Sequence, residues 1–129
     1  MSIPIFPLKK HDLNSKRGSR HTYYAAVKAS GEDTLEDVVR KVEAISSASK
    51  ADVHLVIHSL IQVMQNSLEE GRIVRLGILG TFRISVSSQG ESDPRNIGAK
   101  SVIRSRIIYK PDKALNSWLE QLKFRKLRE

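Results

Sequence analysis

The sequence predicts an α+β fold: two helices, then three strands, then a last helix, with extended segments in front. Three observations carry this reading. Two capping patterns, Thr34 with Asp37 and Ser49 with Asp52, each precede apolar residues at helical spacing. After Arg72 the apolar period shortens to two, the spacing of a strand with one buried face. Pro111-Asp112 then opens a second stretch of helical spacing.

The first helix is read over residues 34–46, with Leu35, Val38, Val39, Val42 and Ile45 on one stripe. Ser46-Ser47-Ala48 interrupts it. The second runs over about residues 50–70 and stops at Gly71, a residue suited to ending helices. Its apolar residues Val53, Val56, Ile57, Leu60, Ile61, Val63, Met64 and Leu68 cover more than half its girth. A helix that wide needs cover on two sides. The first helix supplies one side, and a second subunit is the natural source of the other.

Beyond Arg72, Ile73, Val74 and Leu76 read as a short strand before the turn-rich Gly77-Ile78-Leu79-Gly80. Phe82, Ile84 and Val86 then alternate with Thr81, Arg83 and Ser85. Residues 87–101 are polar and punctuated by Gly and Pro, which predicts a long mobile connection. The third strand, residues 102–110, puts Ile103, Ile107 and Tyr109 on one face and Arg104, Arg106 and Lys110 on the other. In the last helix Leu115, Trp118, Leu119 and Leu122 share a stripe, and the basic tail is expected to fray beyond Phe124. Residues 1–33 stand apart. Segments 3–8 and 22–29 look extended around a polar basic stretch and read as a β-hairpin with a flexible loop at 16–20. The chain thus divides into a basic extension (1–33), a main domain (34–124) and a basic tail (125–129).

Charge narrows the function. Lys and Arg total 22 against 14 Asp and Glu, a formal balance of +8 with a pI near 10.0. Such a surplus points to a polyanion, nucleic acid first and an anionic membrane surface second. Its distribution is uneven. Residues 34–71, the most helical-looking, carry three basic and six acidic side chains, whereas 72–112 carry eight and three. Residues 1–33 carry six and three, and 113–129 five and two. A polyanion should therefore meet the strands and the chain ends. The absence of cysteine excludes disulfides, thiolate catalysis and cysteine zinc sites. No apolar run reaches the length of a membrane span, and residues 1–7 lack the basic start and apolar stretch of a signal peptide. These features predict a cytoplasmic protein.

Two motifs sharpen the reading. The run Leu68-Glu69-Glu70-Gly71-Arg72-Ile73-Val74-Arg75-Leu76-Gly77-Ile78-Leu79-Gly80-Thr81-Phe82-Arg83-Ile84 resembles the helix end and first hairpin of the bacterial histone-like family of HU and integration host factor. Tyr109-Lys110-Pro111-Asp112-Lys113-Ala114-Leu115 resembles that family's junction between the last strand and the C-terminal helix. The likeness covers about residues 34–124. Residues 1–33 are similar to the leading strands of an HU-related branch.

The resemblance implies an intertwined homodimer with a helical base and a saddle of sheets, bound to double-stranded DNA in the nucleoid. It implies arms, formed by the long connection, that reach into the minor groove and insert a proline. Pro94 is the candidate wedge, and Arg95 and Lys100 are the candidate arm cations. Arg83, Arg104, Arg106, Lys110 and Lys113 are the candidate phosphate contacts, which carry no sequence information. The arm departs from the family's usual Arg-Asn-Pro order: here Ser92-Asp93-Pro94-Arg95-Asn96-Ile97-Gly98-Ala99-Lys100 places Asp93 beside the proline and Glu91 nearby.

Other motifs carry less. Gly77-x-x-Gly80 lacks the Gly-Lys-Ser/Thr ending of a phosphate loop and leads into a strand, so it reads as a tight turn. His54 and His58 have a zinc-compatible spacing but no third ligand nearby, and they read as a half-exposed pair. His11 and His21 fit solvent as readily as phosphate. Trp118 reads as core; of Tyr23 and Tyr24, one reads as packed and one as exposed. Lys113 sits where a cation beside helix N-terminal amides could seat a phosphate, against the alternative of a solvated lysine. No nucleophile motif and no paired carboxylates in an apolar setting occur, so neither an enzyme nor a small-molecule substrate, cofactor or metal is expected. The rival reading is a protein-interaction module of the same fold with weakened DNA bending, its N-terminal hairpin offering a β-edge. RNA binding is weaker still, because the exposed strand face lacks an aromatic platform.

Overall fold

The computed structural model describes residues 1–12 and 20–127. Its elements run β1 (Ile3–Asp12), β2 (Arg20–Val27), α1 (Leu35–Ile45), α2 (Lys50–Glu69), β3 (Val74–Arg75), β4 (Thr81–Ser88), β5 (Val102–Lys110), α3 (Lys113–Leu119) and β6 (Phe124–Lys126). The strands form two three-stranded sheets, β2-β1-β6 and β3-β4-β5. The mixed α+β class follows from this order.

Both long helices start where the capping patterns stand. Thr34 Oγ1 accepts from the Asp37 amide at 3.3 Å, and the Asp37 carboxylate accepts from the Thr34 amide at 3.0 Å. Ser49 and Asp52 repeat this exchange at the head of α2. Each box satisfies amides that the first turn would otherwise leave bare. The bonds from Thr34 hold the Asp37 carboxyl below the usual range, with help from Arg40 and Lys41. After α2, Gly71 takes a φ of 76°, and its amide donates to the Leu68 carbonyl. α1 packs on α2, where Val39 is fully buried and Val53 and Leu68 nearly so.

Those three are the only buried apolar residues among those described. α2 leaves Val56 63% and Val63 61% exposed, and on β5 Ile103 and Ile107 are 64% and 62% exposed. The chain presents 11440 Å² of surface. A compact monomer of this mass would show roughly 6,900 Å².

Several elements differ from the sequence reading. The strand expected from Ile73 to Leu76 shortens to Val74–Arg75, because Leu76 already turns and donates its amide to the Gly80 carbonyl at 2.9 Å. The connection after β4 is not featureless. It holds single 3₁₀ turns at Pro94–Asn96 and Ala99–Ser101, and its base is tied by the Gln89 amide donating to the Ser101 carbonyl at 2.9 Å. α3 stops at Leu119, and Leu122 follows in a turn. Trp118, read as core, is 53% exposed on this chain, because no described element covers that side of so short a helix.

The largest correction is at the C-terminus. The tail does not fray at Phe124: residues Phe124–Lys126 pair in parallel with β1, in the register Ile3↔Phe124, Pro4↔Arg125, Ile5↔Lys126. The Ile3 amide donates to the Lys123 carbonyl at 2.8 Å, and the Leu127 amide donates to the Ile5 carbonyl at 2.9 Å. Backbone groups that find partners in this way outweigh the polar character of the side chains. β1 and β2 form the expected antiparallel hairpin, from Ile5↔Val27 to Asp12↔Arg20. Of the flexible loop read at 16–20, residues 16–19 lie outside the described residues.

Candidate nucleic-acid interface

The β4–β5 ladder sorts its side chains by alternation. Phe82 faces Tyr109 and Ile84 faces Ile107, so one face is apolar; the Phe82 and Tyr109 rings lie 5.0 Å apart. The opposite face pairs Thr81 with Lys110, Arg83 with Ile108, Ser85 with Arg106 and Ser87 with Arg104. Arg83, Arg104, Arg106 and Lys110 therefore share one surface, each neighboured by a small hydroxyl or an aliphatic residue. Among the described residues none of the four is ion-paired. Cations spread over an exposed face without carboxylate partners keep their full charge for an external anion.

At the lower end of this face lies an open cleft of about 400 Å³. Lys110 and Lys113 line it together with Arg75, Thr81, Asn116 and Glu120. Arg75 reaches it because β3 pairs Arg75 with Thr81, the residue opposite Lys110. Sequence reasoning missed Arg75. Its signal was present, since it stands two residues before Gly77 in the strand that leads into the hairpin, on the parity of the polar face.

The turn that joins β3 to β4 fixes this corner. Gly77 takes φ 57° and Gly80 φ 116°. A Cβ on Gly80 would meet the Lys110 carbonyl oxygen at 2.5 Å and Tyr109 Cε1 at 2.8 Å. The Tyr109 hydroxyl donates to the Leu79 carbonyl at 2.8 Å, which locks the turn onto β5. Gly80 is thus a close backbone approach that seats the turn against the end of β5, beside Lys110.

The tip residues are arranged differently from the sheet cations. Arg95 folds back on Asp93, with its Nη2 at 2.9 Å and Nε at 3.1 Å from Oδ2, while the Arg95 amide donates to Oδ1 at 3.0 Å. These bonds from Arg95 hold the Asp93 carboxyl below the usual carboxylate range. Pro94 opens the turn between them, and Lys100 lies in the following turn with no ion pair among the described residues. The structure therefore brings Arg83, Arg104, Arg106, Lys110 and Lys113 to one sheet and its edge, and sets Pro94, Arg95 and Lys100 apart in the connection.

The remaining motifs find ordinary partners. His54 Nε2 lies 3.3 Å from Glu36 Oε1 between α2 and α1, and the His54 and His58 rings stack at 6.2 Å. Among the described residues no three His, Cys, Asp or Glu side chains gather as a metal site. No helix described is long and apolar enough to cross a membrane. Tyr23 and Tyr24 are both exposed, so the expected burial of one of them does not occur on this chain.

Sheet, turn and short C-terminal helix in this order define an HU-like arrangement. A family model described as an HU domain fused to wHTH, Ig, or glycine-rich motif (HU-HIG) matches residues 1–126, and the chain belongs to that family. The match includes the N-terminal hairpin, so residues 1–33 are part of the family's pattern. Among solved structures, a bacterial protein of Bacteroides vulgatus ATCC 8482, to which DNA binding is ascribed, superposes with a TM-score of 0.68 at 14% identity. The alignment covers 98% of this chain and 48% of that one, so the chain spans about half the length of this structural relative. No curated protein matches the sequence.

Proposed function

We propose that the chain is a non-enzymatic, architectural DNA-binding protein of the nucleoid, in the cytoplasm, that acts as a homodimer and contacts duplex backbone and minor groove with little regard to sequence. The observation that carries this reading is the β4–β5 face, where Arg83, Arg104, Arg106 and Lys110 stand without carboxylate partners among the described residues. Arginine and lysine on a flat strand surface suit phosphate oxygens, and nothing beside them is placed to read base edges. The DNA binding ascribed to the B. vulgatus relative agrees with it.

The homodimer rests on area. The chain exposes about 4,500 Å² more than the roughly 6,900 Å² expected of a compact monomer, ample for one partner's share of an obligate interface. The apolar residues of α2, the apolar face of β4–β5 and Trp118 are its natural lining. Within this reading the Asp93–Arg95 pair favours backbone contact over kinking, because the tip cation nearest Pro94 is already neutralised.

A gel shift with duplex, nicked and four-way-junction DNA at two salt concentrations tests the proposal. Retention of all three at low salt, lost steeply as salt rises, is expected. A chain that retains none of them at low salt overturns the reading and favours the protein-interaction rival.

A further inference from the structure

The β2-β1-β6 sheet joins the two ends of the chain, and those ends hold the whole surplus of charge. Residues 29–122, which include both helices and the β3-β4-β5 sheet, carry twelve basic and twelve acidic side chains. The remaining residues, 1–28 and 123–129, carry ten basic and two acidic. The formal +8 therefore sits entirely outside the part of the chain that carries the β4–β5 face. Parallel pairing of β6 with β1 brings part of it together among the described residues: Arg125 stands opposite Pro4 and Lys126 opposite Ile5, on the same sheet as Lys9 and Lys10.

We propose that this sheet is a second DNA-backbone surface, separate from the β4–β5 face. The proposal rests on the reading of the chain as a DNA-binding protein and assigns a further site within it. Strand alternation puts Lys9 and Lys126 on one face and Lys10 and Arg125 on the other. None of them is ion-paired among the described residues. Lys10 Nζ lies 5.4 Å from the centre of the Tyr24 ring across the hairpin, which steadies the side chain without neutralising it. The ten residues of β1 span roughly 33 Å at strand rise, about the length of one turn of duplex. A lipid surface fits less well, since interfacial membrane binding calls for an apolar face opposed to a basic one, and here both faces carry cations.

The test compares two variants of the full chain on a random-sequence duplex across a salt series, read by fluorescence anisotropy. One is Lys9→Gln/Lys10→Gln/Arg125→Gln/Lys126→Gln, the other Arg83→Gln/Arg104→Gln/Arg106→Gln. The sheet variant is expected to flatten the slope of log affinity against log salt by about 2 for each chain engaged, since a duplex laid on one face meets the two cations of that face, and to bind at least about tenfold more weakly near 0.1 M salt. A charge-keeping variant, Lys9→Arg/Lys10→Arg/Lys126→Arg, is expected to match the wild type, and the single Lys126→Gln to flatten the slope by about 1, which separates charge from folding. A wild-type slope in both glutamine variants of this sheet overturns the proposal and leaves the β4–β5 reading intact if Arg83, Arg104 and Arg106 matter. Loss confined to the sheet variant upholds the proposal and removes the β4–β5 face from the interface. No salt-dependent binding by the wild type overturns both, and binding of the sheet to anionic vesicles without effect on duplex affinity assigns it to a membrane and overturns the proposal.

Discussion

The two sheets have the same number of strands and opposite designs. β3-β4-β5 keeps its aromatic residues and most of its aliphatic ones on one face and its cations, with Ile108 among them, on the other, so it has an inside still to be covered and an outside already charged. β2-β1-β6 carries cations on both faces and stands largely apart from the helices. The first sheet asks for another protein surface as well as an anion. The second, in the proposal above, meets an anion. Equal secondary structure therefore does not imply an equal surface; the parity at which charges fall along the strands decides it.

The uncovered apolar residues of α2 are where substitution should have its largest effect. Val56→Asp/Val63→Asp, one face of α2 a heptad apart, should abolish dimers at micromolar concentration. Burial of each valine contributes about 1.5 kcal/mol or more, and two buried carboxylates add a further penalty. Sedimentation velocity checks this. Next in size is Gly80→Ala, which should destabilise by more than about 1 kcal/mol because Ala resists the positive φ and its Cβ meets the Lys110 carbonyl. Denaturant melts with unchanged m-value would confirm it. Ser49→Ala should cost about 1 kcal/mol through loss of the α2 cap, with no change in salt slope.

The smallest effect is expected at the tip of the connection. Asp93→Asn frees the Arg95 guanidinium, so duplex affinity should rise a few-fold and the salt slope should steepen by up to about 1 per chain. Acid reproduces this only in part. Because Arg95 depresses the Asp93 carboxyl in the folded chain, the pair persists at neutral pH and is lost as pH falls through that lowered value. Wild-type affinity should therefore show no step from Asp93 between pH 6 and 8, and a titration of binding against pH checks it.

Local chemistry made much of this legible beforehand. Thr34–Asp37 and Ser49–Asp52 marked both helix starts because capping is a contact between residues three apart. Alternation in β4 and β5 assigned Arg83, Arg104 and Arg106 to one face because a strand's period is two. What the sequence concealed was non-local. Nothing in Phe124-Arg125-Lys126 announces a strand; it becomes one because Ile3 and Ile5 offer a backbone edge more than a hundred residues away. Arg75 joined the basic cleft only once its register against Thr81 was set. Arg95 looked like a free arm cation until the turn at Pro94 swung it onto Asp93.

Light scattering of the free protein across a concentration series tests the central claim most directly, that this open frame is one half of a homodimer whose sheets present phosphate-binding faces. The account predicts twice the chain mass of 14.5 kDa wherever the protein is folded, with a melting temperature that rises with concentration. A species of 14.5 kDa that unfolds cooperatively and independently of concentration would contradict it.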